Sequence, residues 1–143
     1  MEHKVIEMID GQPTFLKPLQ DILKECKKGG ALKILDPLEY HTEQQRKWYK
    51  GICLKKCLSD WNGETVDEWD LRLKAECNGN ELLKTQRIPI YSMLSGKKEL
   101  LFVERLTIIG VCKRNLTQFI ENILSKAITE NWPVTPPDKE LRK

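Results

Sequence analysis

The spacing of apolar residues along the chain predicts alternating extended and helical segments. Residues 3–9 alternate loosely between apolar and polar positions, which is typical of a strand. Over residues 14–28 the apolar positions recur every three or four residues, so a helix closed by a Gly-Gly pair is predicted there. Residues 31–35 then predict a short second strand. The chain is therefore expected to open as β-α-β.

Two capping boxes predict a helical pair in the middle of the chain. In a capping box a hydroxyl accepts from the backbone N–H three residues later, and the Glu or Gln side chain at that position reaches back. Thr42 and Gln45 have this spacing and predict a helix over residues 41–61. Thr65 and Glu68 repeat the pattern at the start of the next helix. The helical period predicts that the buried side chains of the first helix are Tyr49, Ile52, Cys53 and Cys57.

The second half of the chain predicts a hairpin and a long C-terminal helix. Residues 84–91 and 100–109 read as extended segments with a Ser-Gly-Lys-Lys turn between them. A helix is the alternative for residues 97–106, because Glu, Leu, Lys and Arg all favour it. Apolar residues over 116–128 keep to one stripe, so a helix capped by Asn115 is predicted.

These segments together predict an α+β fold. Its order is a β-α-β opening, a helical pair, a hairpin and a long C-terminal helix. A chain of 143 residues is long enough for one domain with a proper core and short for two. We therefore predict a single domain over residues 1–135, followed by a mobile charged tail over residues 136–143.

Composition and net charge exclude only a few classes of function. Hydrophobic residues make up 40% of the chain and charged residues 31%, with a formal net charge of +3. This charge permits a polyanionic partner without requiring one. Whether the protein binds a polyanion therefore depends on where the cations lie. No apolar run approaches the roughly 20 residues that cross a bilayer. Acids also interrupt the N-terminal segment where a secretory signal needs an apolar core, so we expect a cytoplasmic protein without a membrane partner.

Motifs for catalysis and for cofactor binding are missing from the sequence. Five cysteines, spread widely and odd in number, indicate reduced thiols rather than disulfides. Cys53 and Cys57 are four residues apart but no Cys-x-x-Cys pair occurs, so neither a metal nor another cofactor is predicted. Gly-rich phosphate loops and Ser or His catalytic motifs do not occur either. We expect a protein that is not an enzyme; a metal-dependent nuclease using Asp67, Asp70 and Glu76 is the weakest alternative.

The 41–61 helix carries the pattern that is most informative about function. Cations that meet phosphates, beside rings that stack on unpaired bases, are what single-strand binding requires. Trp48 and Tyr49 supply the rings, and one of the two is expected to pack inward because adjacent helical positions point about 100° apart. The cations of this helix are Arg46, Lys47, Lys50, Lys55 and Lys56.

The middle of the chain also resembles the phage NinB family. The matching residues are Thr42, Gln45, Arg46, Lys47, Trp48, Tyr49, Thr65, Glu68 and Trp69. In layout the resemblance covers about residues 3–135. It implies a small homodimeric protein that binds single-stranded DNA and helps to load a recombinase onto strands coated by a single-strand-binding protein. It further implies DNA contacts by Gln45, Arg46, Lys47 and Trp48.

One departure from the family concerns the turn before the last helix. The family has a Ser-Thr turn there, whereas this chain has Cys112, Lys113, Arg114 and Asn115. Lys113 and Arg114 keep positive charge at that position, so we include both among the expected DNA contacts.

The leading hypothesis is therefore a non-catalytic accessory protein of phage or prophage DNA recombination that binds single-stranded DNA. Basic side chains are expected to neutralise phosphates, while Trp48 or Tyr49 stacks on an unpaired base. The alternative is a protein-interaction adaptor whose basic helix binds an acidic partner peptide, such as the acidic tail of a single-strand-binding protein.

Overall fold

A computed structural model describes residues 2–79, 81–94 and 96–143 of the chain. Contacts divide the chain into two compact units, Met1–Leu35 and Asp36–Lys143. Helices and antiparallel strand pairs occur together, so the predicted α+β class is confirmed. None of the helices in the described residues is long and apolar enough to cross a membrane.

The N-terminal unit is built on a short antiparallel hairpin of β1 (Glu7–Ile9) and β2 (Gln12–Thr14). Asp10 and Gly11 join the strands, both with positive φ, at 49° and 75°. An Asp-Gly pair with this backbone is the favoured two-residue hairpin turn, because its twist matches that of the strands. A five-residue helix, α1 (Leu19–Leu23), follows.

This unit differs from the predicted β-α-β opening. Both strands precede the helix, the helix is much shorter than residues 14–28, and residues 31–35 form no strand. The Asp-Gly turn is the physical reason, since it lets the first strand pair with its immediate neighbour. Leu32 and Ile34, which lie in the predicted second strand, are exposed.

The larger unit begins with one continuous helix, called here the long helix (residues 37–62), which combines α-helical and π-helical segments. Its first part is α2 (Pro37–Lys47), its middle is a π-helical segment (Trp48–Ser59), and its last turn is α3 (Asp60–Asn62). Gly63 ends it with a left-handed φ of 80°, a conformation that glycine adopts without strain.

The capping box predicted at Thr42 is wrong, because the long helix starts six residues earlier. Asp36 is the N-cap, its carboxylate accepts from the backbone N–H of Glu39 at 2.8 Å, and Pro37 occupies the first helical position. Thr42 lies inside the helix and donates to the carbonyl of Glu39 at 3.0 Å. The N-cap Asp36 followed by Pro37 is therefore a stronger helix-start signal than the Thr42 pattern.

The capping box at Thr65 and Glu68 is confirmed at the start of α4 (Val66–Cys77). The hydroxyl of Thr65 accepts from the backbone N–H of Glu68 at 3.2 Å, and the Glu68 carboxylate accepts from the backbone N–H of Thr65 at 2.8 Å. Two local residues satisfy two otherwise unpaired donors, so this helix start depends on no distant contact.

The predicted hairpin is confirmed as an antiparallel pair of β3 (Lys84–Ser92) and β4 (Glu99–Thr107). A helix over 97–106, the alternative, does not form. The C-terminal helix α5 (Lys113–Glu130) starts after Cys112 rather than Asn115. The Asn115 side chain instead donates to the carbonyl of Leu82 at 3.0 Å, which ties the start of α5 to the segment before β3.

The core of the larger unit lies where the long helix, α4 and α5 pack together. Two edge-to-face ring pairs mark it: Tyr49 with Phe119 at 5.4 Å between centroids, and Trp69 with Trp132 at 5.1 Å. Such pairs add about 0.5–1.5 kcal/mol each beyond their buried area. The fully buried aliphatic side chains of the core are Leu54, Leu58, Leu73, Ile108, Ile120 and Ile123.

Residues 131–143, the C-terminal strap, fold back over this core. The carbonyl of Thr135 accepts from Trp48 Nε1 at 3.1 Å, and that of Leu141 accepts from the Gln45 amide at 2.9 Å. His41 Nε2 donates to the carbonyl of Glu140 at 2.8 Å. A short 3-10 turn (Lys139–Arg142) closes the chain. Two of these bonds tie the backbone of Glu140 and Leu141, within the tail predicted to be mobile, to side chains of the long helix.

We expect the end of the strap to lose its anchor at acid pH. Arg142 donates two hydrogen bonds to the Glu121 carboxylate, at 2.8 and 3.0 Å, and these hold the pKa of Glu121 below its ordinary value. The contribution to stability is therefore complete above the unfolded pKa of about 4.3 and is lost as the pH falls through the lower folded value. A double-mutant cycle with Glu121→Gln and Arg142→Gln, followed by urea unfolding, should give a coupling at pH 7 that disappears near pH 2. Equal coupling at both pH values would contradict this assignment.

Thiol reactivity should separate the five cysteines into two classes. Cys26 and Cys112 are exposed, whereas Cys53, Cys57 and Cys77 are buried. Burial raises the pKa of the Cys77 thiol to about 11 and also raises that of Cys53, which lowers the population of reactive thiolate. An Ellman titration at pH 8 should release two equivalents rapidly and the other three only after denaturation. Rapid release of all five would show that the core opens readily.

Candidate nucleic-acid interface

The π-helical winding of Trp48–Ser59 decides which of its side chains reach solvent. In such a helix the backbone N–H bonds to the carbonyl five residues back, so positions on one face recur every four to five residues. The buried side chains follow this spacing in pairs: Trp48 with Tyr49, Cys53 with Leu54, and Cys57 with Leu58. Ile52, predicted to be buried from the ordinary helical period, is 39% exposed.

The same winding aligns cations along the outer face. Lys50 and Lys55 are five residues apart, and Lys55 is five residues before Asp60, with which it forms an ion pair of 3.2 Å. Together with their exposed neighbours these lysines form what we call the basic face: Lys47, Lys50, Lys55 and Lys56. Between Arg46, which is half-buried, and Ser59 the helix carries no acidic residue.

Two predicted contact residues of the long helix lie inside the fold. Gln45 is 1% exposed and donates to the Thr117 hydroxyl and to the Leu141 carbonyl, each at 2.9 Å. Trp48 is 4% exposed beneath the C-terminal strap. Tyr49 is buried as well, so both rings pack inward where only one was expected to. The structure therefore contradicts base contacts by Gln45 and Trp48, whose polar atoms and surfaces hold the core together.

Lys113 and Arg114 occupy the first turn of α5. Arg114 is exposed and Lys113 is half-buried. One turn later, Thr117 accepts the hydrogen bond from Gln45, which places this turn beside the part of the long helix that precedes the basic face. The two cations therefore lie in the same unit as the basic face and beside the same helix.

An exposed ring does occur on the long helix, at the last residue of the helix predicted over 41–61. Trp61 follows Asp60 in the last helical turn and is 53% exposed. A tryptophan just before an Asn-Gly helix end was the available signal, because side chains at helix ends have few neighbours to cover them. Trp61 thus replaces Trp48 as the candidate stacking residue of the long helix.

A cleft of about 380 Å³ lies between the π-helical segment, α4 and the base of the hairpin. Its apolar wall consists of Leu54, Val66, Ile88, Leu106, Ile108 and Ile109. Its polar side chains are Lys50, Asp67, Asp70, Lys74, Gln86, Arg105 and Thr107. Lys50 therefore joins the basic face to this cleft.

A buried carboxylate organises the wall of the cleft. Asp70 accepts from the Tyr49 hydroxyl and from the Lys74 ammonium, both at 2.7 Å, and the Arg105 guanidinium lies 3.6 Å away. Burial, and then the negative charge of Asp70, raise the pKa of the Tyr49 phenol, so the phenol stays protonated and donates. The network links the long helix, α4 and β4.

This network includes Asp70, one of the three acidic residues named in the nuclease alternative. Asp70 is already bonded to a phenol and a lysine, and Glu76 lies 3.8 Å from Lys126. Among the described residues no three His, Cys, Asp or Glu side chains are grouped as a metal ion would require. Two of the three acidic residues in the nuclease alternative, Asp70 and Glu76, thus lie beside lysine partners.

Removing the Tyr49 hydroxyl should destabilise the protein. In Tyr49→Phe the buried Asp70 loses one of its donors, and a hydrogen bond to a charged group contributes about 1.5–3 kcal/mol. Urea unfolding monitored by circular dichroism would measure this loss. Tyr91→Phe is the matched control, since the Tyr91 ring is exposed and its hydroxyl should contribute little. Equal midpoints for the two variants would contradict a stabilising role for the network.

Comparisons with known proteins add no relative to this picture. No family of known proteins, no curated protein and no solved structure matches the chain. The resemblance to the phage NinB family therefore remains a prediction from the residues named above.

Proposed function

We propose that the protein binds single-stranded DNA through the outer face of the long helix and acts as a non-catalytic accessory of DNA recombination. The observation that carries the proposal is an acid-free stretch of helix with four exposed lysines, followed one turn later by an exposed tryptophan. Lysines neutralise phosphates and release counterions, and an indole ring stacks on an unpaired base.

The π-helical spacing determines how the lysines are arranged along this face. Lys50 and Lys55 follow one another along the helix axis, and Lys56 flanks them. Asp60 neutralises part of the charge of Lys55, so a stronger attraction for phosphates is expected at Lys50 than at Lys55. Trp61, at the other end, offers the ring.

The role in recombination rests on the resemblance to the phage NinB family. A single-strand-binding protein, a recombinase and a second copy of this chain are the partners that it suggests. The basic face suits a DNA strand held by its backbone without sequence preference.

Charge removal on the basic face should reduce both affinity and salt dependence. For Lys50→Gln/Lys56→Gln, the slope of log K against log salt should become shallower by about 0.7 for each phosphate that is no longer neutralised. Trp61→Ala should weaken binding by roughly 1–3 kcal/mol and leave this slope unchanged. Fluorescence anisotropy of a labelled thymidine 20-mer at several salt concentrations measures both quantities, and a duplex of equal length tests the preference for single strands.

The matched control is Lys27→Gln/Lys28→Gln, which removes the same charge from exposed positions of the N-terminal unit. It should leave the salt slope at the wild-type value. Failure of the wild-type protein to bind either DNA at low salt would overturn the proposal, as would equal effects of the two double variants.

The cleft favours one other function, the binding of an acidic peptide. Lys50 and Arg105 could meet carboxylates while an apolar side chain enters between Leu54 and Ile88. Its volume lies within the range of small-ligand sites. If DNA binding is absent, a labelled acidic peptide that binds the wild type but not Arg105→Gln would establish this alternative.

A further inference from the structure

The β3–β4 hairpin exposes aromatic rings that the rest of the molecule leaves uncovered. Tyr91 is 66% exposed and Phe102 is 49% exposed. Both lie in the outer part of the hairpin, beyond the strand ends that pack near the core. Large exposed apolar groups that cluster on one element indicate a surface for a partner rather than part of a core.

The strand register places both rings on the same face. Pro89 pairs with Phe102 and Tyr91 pairs with Leu100. Because paired residues point to the same side of a sheet, Tyr91 and Phe102 are diagonal neighbours, about 7–8 Å apart by the usual geometry. Two rings side by side on a sheet form the kind of platform on which single-strand binders stack successive bases.

Each ring has its own cation. The Arg87 guanidinium lies 4.1 Å from the Phe102 ring centroid, and the Lys98 ammonium lies 4.4 Å from that of Tyr91. Residues 84–107 carry five basic and two acidic side chains, an excess equal to the whole chain's formal net charge of +3. Because each cation lies over its ring, a base that stacks on that face displaces the cation, which can then pair with the phosphate of the same nucleotide.

These cations favour a polyanion over an apolar surface as the occupant of the ring face. An apolar partner laid across the rings would strip water from Arg87 and Lys98 without returning a charge, which is costly. A phosphate backbone returns that charge at every nucleotide.

The base of the hairpin lies beside one end of the basic face. Gln86 of β3 and Arg105 of β4 line the cleft together with Lys50 of the long helix. Gln86 and Arg105 point to the face of the hairpin opposite to Tyr91 and Phe102, because side chains alternate along a strand. A bound strand that contacts both the cleft and the rings would therefore cross the edge of the hairpin.

We propose that the β3–β4 hairpin is a second single-strand contact, in which Tyr91 and Phe102 stack on bases while Arg87 and Lys98 meet phosphates. This inference rests on the proposed binding of single-stranded DNA. It assigns base stacking to a part of the chain outside the long helix.

Anisotropy titrations of a labelled thymidine 20-mer test the inference. Tyr91→Ala and Phe102→Ala should each raise Kd about 5- to 150-fold, with an unchanged salt slope. Tyr91→Phe keeps the ring and should bind like the wild type. Leu100→Ala is the matched control, because Leu100 pairs with Tyr91 on the same face and is similarly exposed but offers no ring.

Photocrosslinking gives a second reading that does not depend on the variants folding. A thymidine 20-mer with 5-iododeoxyuridine should crosslink the wild-type protein within peptides that contain Tyr91 or Phe102. Wild-type binding with crosslinks only elsewhere, or with Leu100→Ala as weak as Tyr91→Ala, would overturn the hairpin contact and leave the proposed function standing. Absence of wild-type binding would overturn both.

Discussion

The π-helical winding of Trp48–Ser59 is the constraint on which the larger unit depends. By widening the repeat to four or five residues it turns adjacent pairs of large side chains inward, so Trp48 and Tyr49 are buried together. Tyr49 then meets Phe119 of α5, and Trp48 meets the strap. The lysines have no room inside and occupy the remaining face. Core and basic face are thus two consequences of one backbone geometry.

The buried carboxylate of Asp70 explains how a polar hairpin base attaches to an apolar core. An isolated buried charge would be very costly, but here a phenol and an ammonium bond to it directly and a guanidinium lies nearby. Because these groups come from the long helix, α4 and β4, the network fixes the base of the hairpin while its outer part remains exposed. Asp70, Lys74 and Arg105 also line the cleft between the basic face and the hairpin.

Local signals were readable in the sequence and long-range ones were not. The capping box of Thr65 and Glu68 lies within four residues and could be predicted, as could the two extended segments of the β3–β4 hairpin. The burial of Gln45 and Trp48 depends on the strap, which lies about 90 residues further along the chain. No local sequence pattern indicates such a contact, and none distinguishes π-helical from α-helical winding. The exposed lysines could therefore be predicted from the sequence, but the exposed ring of Trp61 could not.

The distribution of charge matters more for function than its total. A net charge of +3 produces only a weak overall field, yet the long helix has five cations without an acid from Arg46 to Ser59. The hairpin carries a further excess, so acids elsewhere, including those in the first turn of α4, must balance both. Attraction for a polyanion is then local and acts within about one Debye length, roughly 8–10 Å at ordinary salt. A ligand that follows the chain's cations from the long helix to the hairpin gains from both, whereas a compact anion can gain from only one.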